Sequence, residues 1–149
     1  QYNEAKETGQ DNEVKEAVQY QEVKETVQDN EVKDVMQCLE EIPELDVQTG
    51  LNYCMDKELY EEMLKEYMKS DKAVKIQQFF DKRDWDNYKI IIHALKSTSL
   101  SIGAISLSEE AKSLEMAAKN RDDSYILAHH QAAMDKYLDL LSRLKNILK

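Results

Sequence analysis

Turn-forming material is scarce in this chain. Its 149 residues hold three glycines and one proline, with two phenylalanines and one tryptophan. A sheet protein needs residues that accept tight turns every few positions, so this scarcity argues against a hairpin-rich fold. Cysteine is also rare. Cys38 and Cys54 are isolated and lack metal-type spacing with histidine, so buried, reduced thiols of a cytoplasmic protein are expected rather than a disulfide or reactive thiol. No apolar run approaches the roughly 20 residues that a helix needs to cross a bilayer, and no signal-peptide pattern opens the chain. The protein is therefore expected to be soluble, with no membrane insertion. Positive charge is in deficit: 20 Lys and Arg stand against 30 Asp and Glu, a net charge of −10. With no basic stripe to displace counterions, a nucleic-acid partner is excluded.

What is present favours helices. Charged residues make up 34% of the chain, and Met, Leu, Glu and Lys, all good helix formers, are plentiful. An all-α domain of ordinary size with an appendage is expected. The chain starts with Gln rather than Met, which is expected of a piece of something longer.

Residues 1–37 form the appendage. They repeat a nine-residue unit, with Glu13-Val-Lys-Glu-Ala-Val-Gln and Glu22-Val-Lys-Glu-Thr-Val-Gln as its clearest copies, and the first 36 residues hold ten acidic residues against four Lys. Nine residues make about 2.5 helical turns, so the valines of successive copies point to opposite sides and give no single apolar stripe. A linker or solvated helix is expected, and if the protein is more than the expected monomer, this repeat is where copies would meet.

Residues 38–149 read as a bundle. A short packing helix ends before Pro43. Asp56 is placed to cap a helix carrying Leu59, Tyr60, Met63, Leu64, Tyr67 and Met68, with a break at Ser70 or Asp71 before Val74, Ile76, Phe79 and Phe80. Asp84 caps the next helix, which runs to about Ile102 and stops at Gly103. Ser106 and Glu109 have the spacing of a capping box, Leu107, Ala111, Leu114, Ala117 and Ala118 follow on a narrow apolar face, and residues 120–123 are a turn. A last helix extends from Ser124 to about Leu148. Long amphipathic helices joined by short turns predict an antiparallel up-and-down four-helix bundle with an N-terminal helical extension.

The helix after Asp84 carries the chemistry. Trp85, Tyr88, Ile92, Leu95, Ser99 and Ile102 share one stripe at core spacing, whereas His93 lies roughly 100° away, on a second stripe with Asp86, Lys89, Ser97 and Leu100. Lys96 sits beside it. A neutral imidazole facing water, next to ammonium groups, suits carriage of an anionic group. The adjacent His129 and His130 diverge by about 100° and cannot chelate one metal; both are expected to be surface or partly packed residues. The methionines (Met55, Met63, Met68, Met116, Met134) read as core filling, and Trp85 as a packing anchor. No metal site is expected.

His93-Ala-Leu-Lys-Ser-Thr-Ser-Leu-Ser-Ile-Gly103 resembles the signature of histidine-containing phosphotransfer domains, His-x-Leu-Lys-Gly-small-small-x-x-Ile/Leu-Gly. His93, Leu95, Lys96, Thr98, Ser99, Ile102 and Gly103 match. Ser97 departs from the family's Gly, a position that there leaves room for the partner's aspartate. Ile42-Pro43-Glu44-Leu45-Asp46-Val47-Gln48-Thr49-Gly50-Leu51-Asn52 resembles the lead-in segment of the same family, with Glu44 for Gly.

The resemblance implies a phosphorelay intermediate. His93 would accept a phosphoryl group from the aspartyl phosphate of one response-regulator receiver and pass it to another, and Lys96 and Lys89 would offset its charge. Mg²⁺ would sit on the receiver, with no cofactor on this chain. Ile90, Ala94, Ser97 and Leu100 would form an apolar rim for receiver docking. No phosphate loop of the GxxxxGK[S/T] type or kinase box is present, so the chain is expected to be a phosphocarrier rather than an enzyme, as the terminal module of a hybrid histidine kinase or free-standing. The phosphotransfer domain of chemotaxis kinases has a similar histidine helix, but Leu95 and the lead-in segment fit the relay type better. The alternative is a degenerate bundle that binds receivers or assembles without being phosphorylated, which Ser97 alone favours.

Overall fold

Carboxylates at the starts of four helices set the frame of the chain. A computed structural model describes residues 34–148, and all regular structure in that span is helical. The chain divides into two units, Gln1–Gln37 and Cys38–Lys149. The readings made on the nonapeptide repeat lie outside the described residues.

Seven helices are described: α1 (Val35–Glu40), α2 (Val47–Cys54), α3 (Lys57–Lys69), α4 (Ala73–Asp81), α5 (Trp85–Ser101), α6 (Ile105–Lys119) and α7 (Asp123–Ile147). Asp46, Asp56, Asp84 and Asp122 each accept a hydrogen bond from a backbone N–H three residues on, at the starts of α2, α3, α5 and α7. Each such cap satisfies an amide that the helix leaves open and contributes about 1 kcal/mol. Between α3 and α4 the helix breaks as expected at Ser70 and Asp71, where Asp71 turns its carboxylate onto the Ala73 amide. The lead-in segment holds a helix of its own, α2, which its short apolar pattern did not announce.

The capping box at Ser106 does not form. Gly103 adopts φ +90° and Ala104 donates its amide to the Ser99 carbonyl, so α6 starts at Ile105 with no side-chain cap. Ser106 thereby lies inside the first turn, and its hydroxyl takes a hydrogen bond from Lys136 of α7, which also pairs with Glu110. The scarcity of glycine has a visible consequence at the ends of α4 and α6. Arg83 and Arg121 take φ values of +54° and +55°, where a glycine is the usual occupant. Each has a carboxylate near its guanidinium: Arg121 is hydrogen-bonded to Asp86 at 2.7 Å, and Arg83 lies 3.9 Å from Asp123.

α5 packs along α6 and α6 against α7, while α4 closes on α5 and α7, α3 on α7, and α2 lies on α3 and α5. Leu64, Ile76, Ile92, Leu95, Leu107, Leu114, Ile126, Leu140 and Leu144 are buried between them. Four tyrosines thread this core with every hydroxyl satisfied. Tyr60 donates to the Ile102 carbonyl, Tyr67 shares a hydrogen bond with Ser99, Tyr88 meets His130, and Tyr137 accepts from the Lys72 amide. Methionine does not behave as core filling throughout: Met134 is buried, but Met55, Met63 and Met116 are exposed, because the small residues of α6 and the tyrosines already fill the interior.

His130 corrects a sequence expectation. Instead of lying at the surface, it is 1% exposed, stacked on Phe80 at 3.7 Å between ring centroids. Nδ1 meets the Tyr88 hydroxyl at 2.8 Å and Nε2 meets Gln77 Oε1 at 3.0 Å. Because the Gln oxygen only accepts, Nε2 carries the proton and Nδ1 accepts from the tyrosine. Desolvation pushes the ring's pKa from 6.5 down to about 4, against a smaller opposing pull from Asp81. The unfolded chain therefore binds this proton first, and stability should fall as pH drops below the unfolded value. The loss from about pH 7 to about pH 5 is expected to be about 2 kcal/mol. Denaturant midpoints at the two pH values measure it, and His130→Gln should lack that loss. A parent chain whose midpoint does not move would overturn the neutral buried imidazole.

Candidate phosphoryl-carrying site

The stripe that was expected to face the core on α5 does so: Trp85, Tyr88, Ile92, Leu95, Ser99 and Ile102 are all buried. Trp85 is anchored further by its indole N–H, which donates to Asp123 at 2.7 Å. The second stripe is thereby forced outward. The His93 side chain is 58% exposed. Lys89, half-buried, lies one turn before it, and Ser97, exposed, one turn after. Along the same side Ile90 is 64% and Leu100 38% exposed, with Ala94 half-buried between them. On α3, Met63 is exposed and, with Thr98 and Ser101 of α5, lines a cleft of about 160 Å³.

The structure adds a residue that the sequence reading passed over. Glu115 of α6 places Oε2 2.6 Å from His93 Nδ1 and Oε1 2.7 Å from Lys96 Nζ. Its side chain is only 19% exposed. Burial pushes the Glu115 carboxyl upward, but hydrogen bonds and charge from Lys96 and His93 outweigh that and hold it below the usual carboxylate range. An ionised carboxylate only accepts, so Nδ1 carries the proton and Nε2, with no partner among the described residues, keeps its lone pair in the neutral ring. The triad spans two helices. Its alignment follows from the hairpin of α5 and α6, in which Lys96, His93 and Asp86 meet Ser108, Glu115 and Arg121 in turn. Folding the two helices about Gly103 would have brought Glu115 opposite His93, but in sequence it stands among other polar residues of a solvated face.

His129 lies apart from this site, stacked on Tyr125. Among the described residues no group of three or more His, Cys, Asp or Glu side chains converges as a metal site, and no helix is long and apolar enough to cross a membrane. Cys54 is buried with Sγ 3.0 Å from Met63 Sδ, and Cys38 is partly buried; neither forms a disulfide. Comparison with protein-family models, curated proteins and solved structures finds no match to this chain.

Proposed function

We propose that this chain is a phosphorelay intermediate of the histidine-containing phosphotransfer type, in which α3 with α4, α5, α6 and α7 are the legs of an antiparallel up-and-down four-helix bundle. The observation that carries this reading is an exposed imidazole whose Nδ1 proton is committed to Glu115 and whose Nε2 has no partner among the described residues. Nε2 attacks the phosphorus of a receiver's aspartyl phosphate, the carboxylate O–P bond breaks, and the aspartate leaves with the bonding pair. The positive charge that the ring gains as the N–P bond forms is met by the Glu115 carboxylate at Nδ1. Lys96 keeps that carboxylate neutralised and, with Lys89, brings positive charge near the phosphoryl oxygens. The reverse step delivers the group to a second receiver aspartate, with Mg²⁺ on the receivers throughout. Ile90, Ala94, Ser97 and Leu100, continued by Met63, are the docking rim. The carrier acts as a cytoplasmic monomer and is not an enzyme in its own right.

Incubation with several phosphorylated receivers tests the reading. Acid-labile phosphate should appear on the chain, and its absence with every receiver would favour the non-phosphorylated receiver-binding module.

Glu115→Gln keeps an acceptor for Nδ1 but removes the charge shared with Lys96. Transfer to and from receivers should slow by about 10- to 100-fold, the scale on which losing an orienting carboxylate behind an imidazole is felt. Single-turnover transfer kinetics measure it, and an unchanged rate would remove Glu115 from the site.

A further inference from the structure

The last turn of α5 carries four side-chain hydroxyls, at Ser97, Thr98, Ser99 and Ser101, and three are committed. Thr98 Oγ1 donates to the Ala94 carbonyl at 3.0 Å, Ser99 pairs with Tyr67 at 2.8 Å, and Ser101 donates to the Ser97 carbonyl at 3.0 Å. Ser97 Oγ has no partner among the described residues. It does not bond back to the carbonyl one turn earlier, as helical serines often do. It is exposed, on the stripe of His93 and one turn beyond it. Residues four apart are neighbours on a helix surface, with Cβ atoms about 5–6 Å apart. Helical side chains also lean toward the N-terminus, so Ser97 covers the turn that holds His93. Lys96 is held by Glu115, which leaves the Ser97 hydroxyl as a neutral donor, uncommitted among the described residues, on the His93 stripe.

We infer that Ser97 is a ligand of the transferred group: its hydroxyl donates a hydrogen bond to a phosphoryl oxygen on phosphorylated His93 and so favours the dianionic form of the carried phosphate. This inference rests on the phosphocarrier reading and assigns a role to the residue at which the chain departs from the histidine motif of the family that it resembles. A hydrogen bond to the charged form of an acid lowers its pKa. Removing the donor should therefore raise the pH at which the phosphoryl group loses its second proton.

Phosphoramidate provides a test without any receiver. Nε2 attacks phosphorus, the P–N bond of the zwitterion breaks, and ammonia leaves with the bonding pair. Parent, Ser97→Ala, Ser97→Gly and Ser97→Thr chains are loaded in this way, and the phosphohistidine resonance is titrated by phosphorus NMR, with His93→Gln identifying the signal. The expected titration midpoints of the Ala and Gly variants lie about 0.5 to 1 pH units above the parent, and Thr restores the parent value. Loaded chains whose midpoints all coincide would overturn the role of Ser97 and leave the carrier reading intact. A shift in Gly alone would also overturn it, since Ala lacks the hydroxyl equally. A parent chain with no signal that is lost in His93→Gln would overturn both.

Discussion

His93→Gln should take up no acid-labile phosphate from any receiver while keeping the fold of the parent. Glutamine approximates the reach of the imidazole, and its amide N–H can still donate to Glu115 Oε2, now 2.6 Å from Nδ1. It lacks the nitrogen lone pair that forms the N–P bond, so transfer is lost outright rather than slowed. Because the His93 side chain is 58% exposed, its replacement opens no cavity, and stability should stay within about 0.5 kcal/mol of the parent. The two readouts, label and denaturant midpoint, separate chemistry from folding. Label that persists in this variant would place the acceptor elsewhere.

Gly103→Ala should have the largest effect on stability. Gly103 holds φ +90°, a conformation that costs an L-residue about 1–2 kcal/mol. A Cβ there would press into the Asp46 carbonyl, 2.9 Å from its carbon and 3.2 Å from the Gly50 nitrogen. Relieving that crowding adds about 1–3 kcal/mol and threatens the hydrogen bond from the Asp46 amide to the Gly103 carbonyl, 2.8 Å long. The expected total of about 3 kcal/mol or more is a large share of the stability of an ordinary domain. Denaturant unfolding measures it through the midpoint at constant slope. A midpoint equal to the parent's would show that the segment before α2 is not clamped to the end of α5.

Which parts of this architecture could be read in advance follows from the range of the interactions involved. The helix starts at Asp56 and Asp84, the break near Asp71 and the stop at Gly103 depend on side chains and backbone a few residues apart, and a linear sequence displays them. The outward position of His93 follows from one apolar stripe on one helix. Glu115 was not legible, because its meaning comes from a residue 22 positions away across a hairpin. His130 failed for the same reason: it is drawn inward by Tyr88, Gln77 and Phe80 from two other helices. Ser106 misled because its neighbour Ala104 already turned the chain into a helix, so a local motif lost to a glycine three residues earlier.

The imidazole and its carboxylate stand on opposite arms of a hairpin, joined by the three-residue turn at Ile102, Gly103 and Ala104. A slip of α6 along α5 by a single turn, about 5.4 Å, would exchange Glu115 for a neighbour and free Nδ1 from its proton's anchor. On the phosphocarrier reading, the reactivity of His93 would therefore depend on how the two arms are aligned.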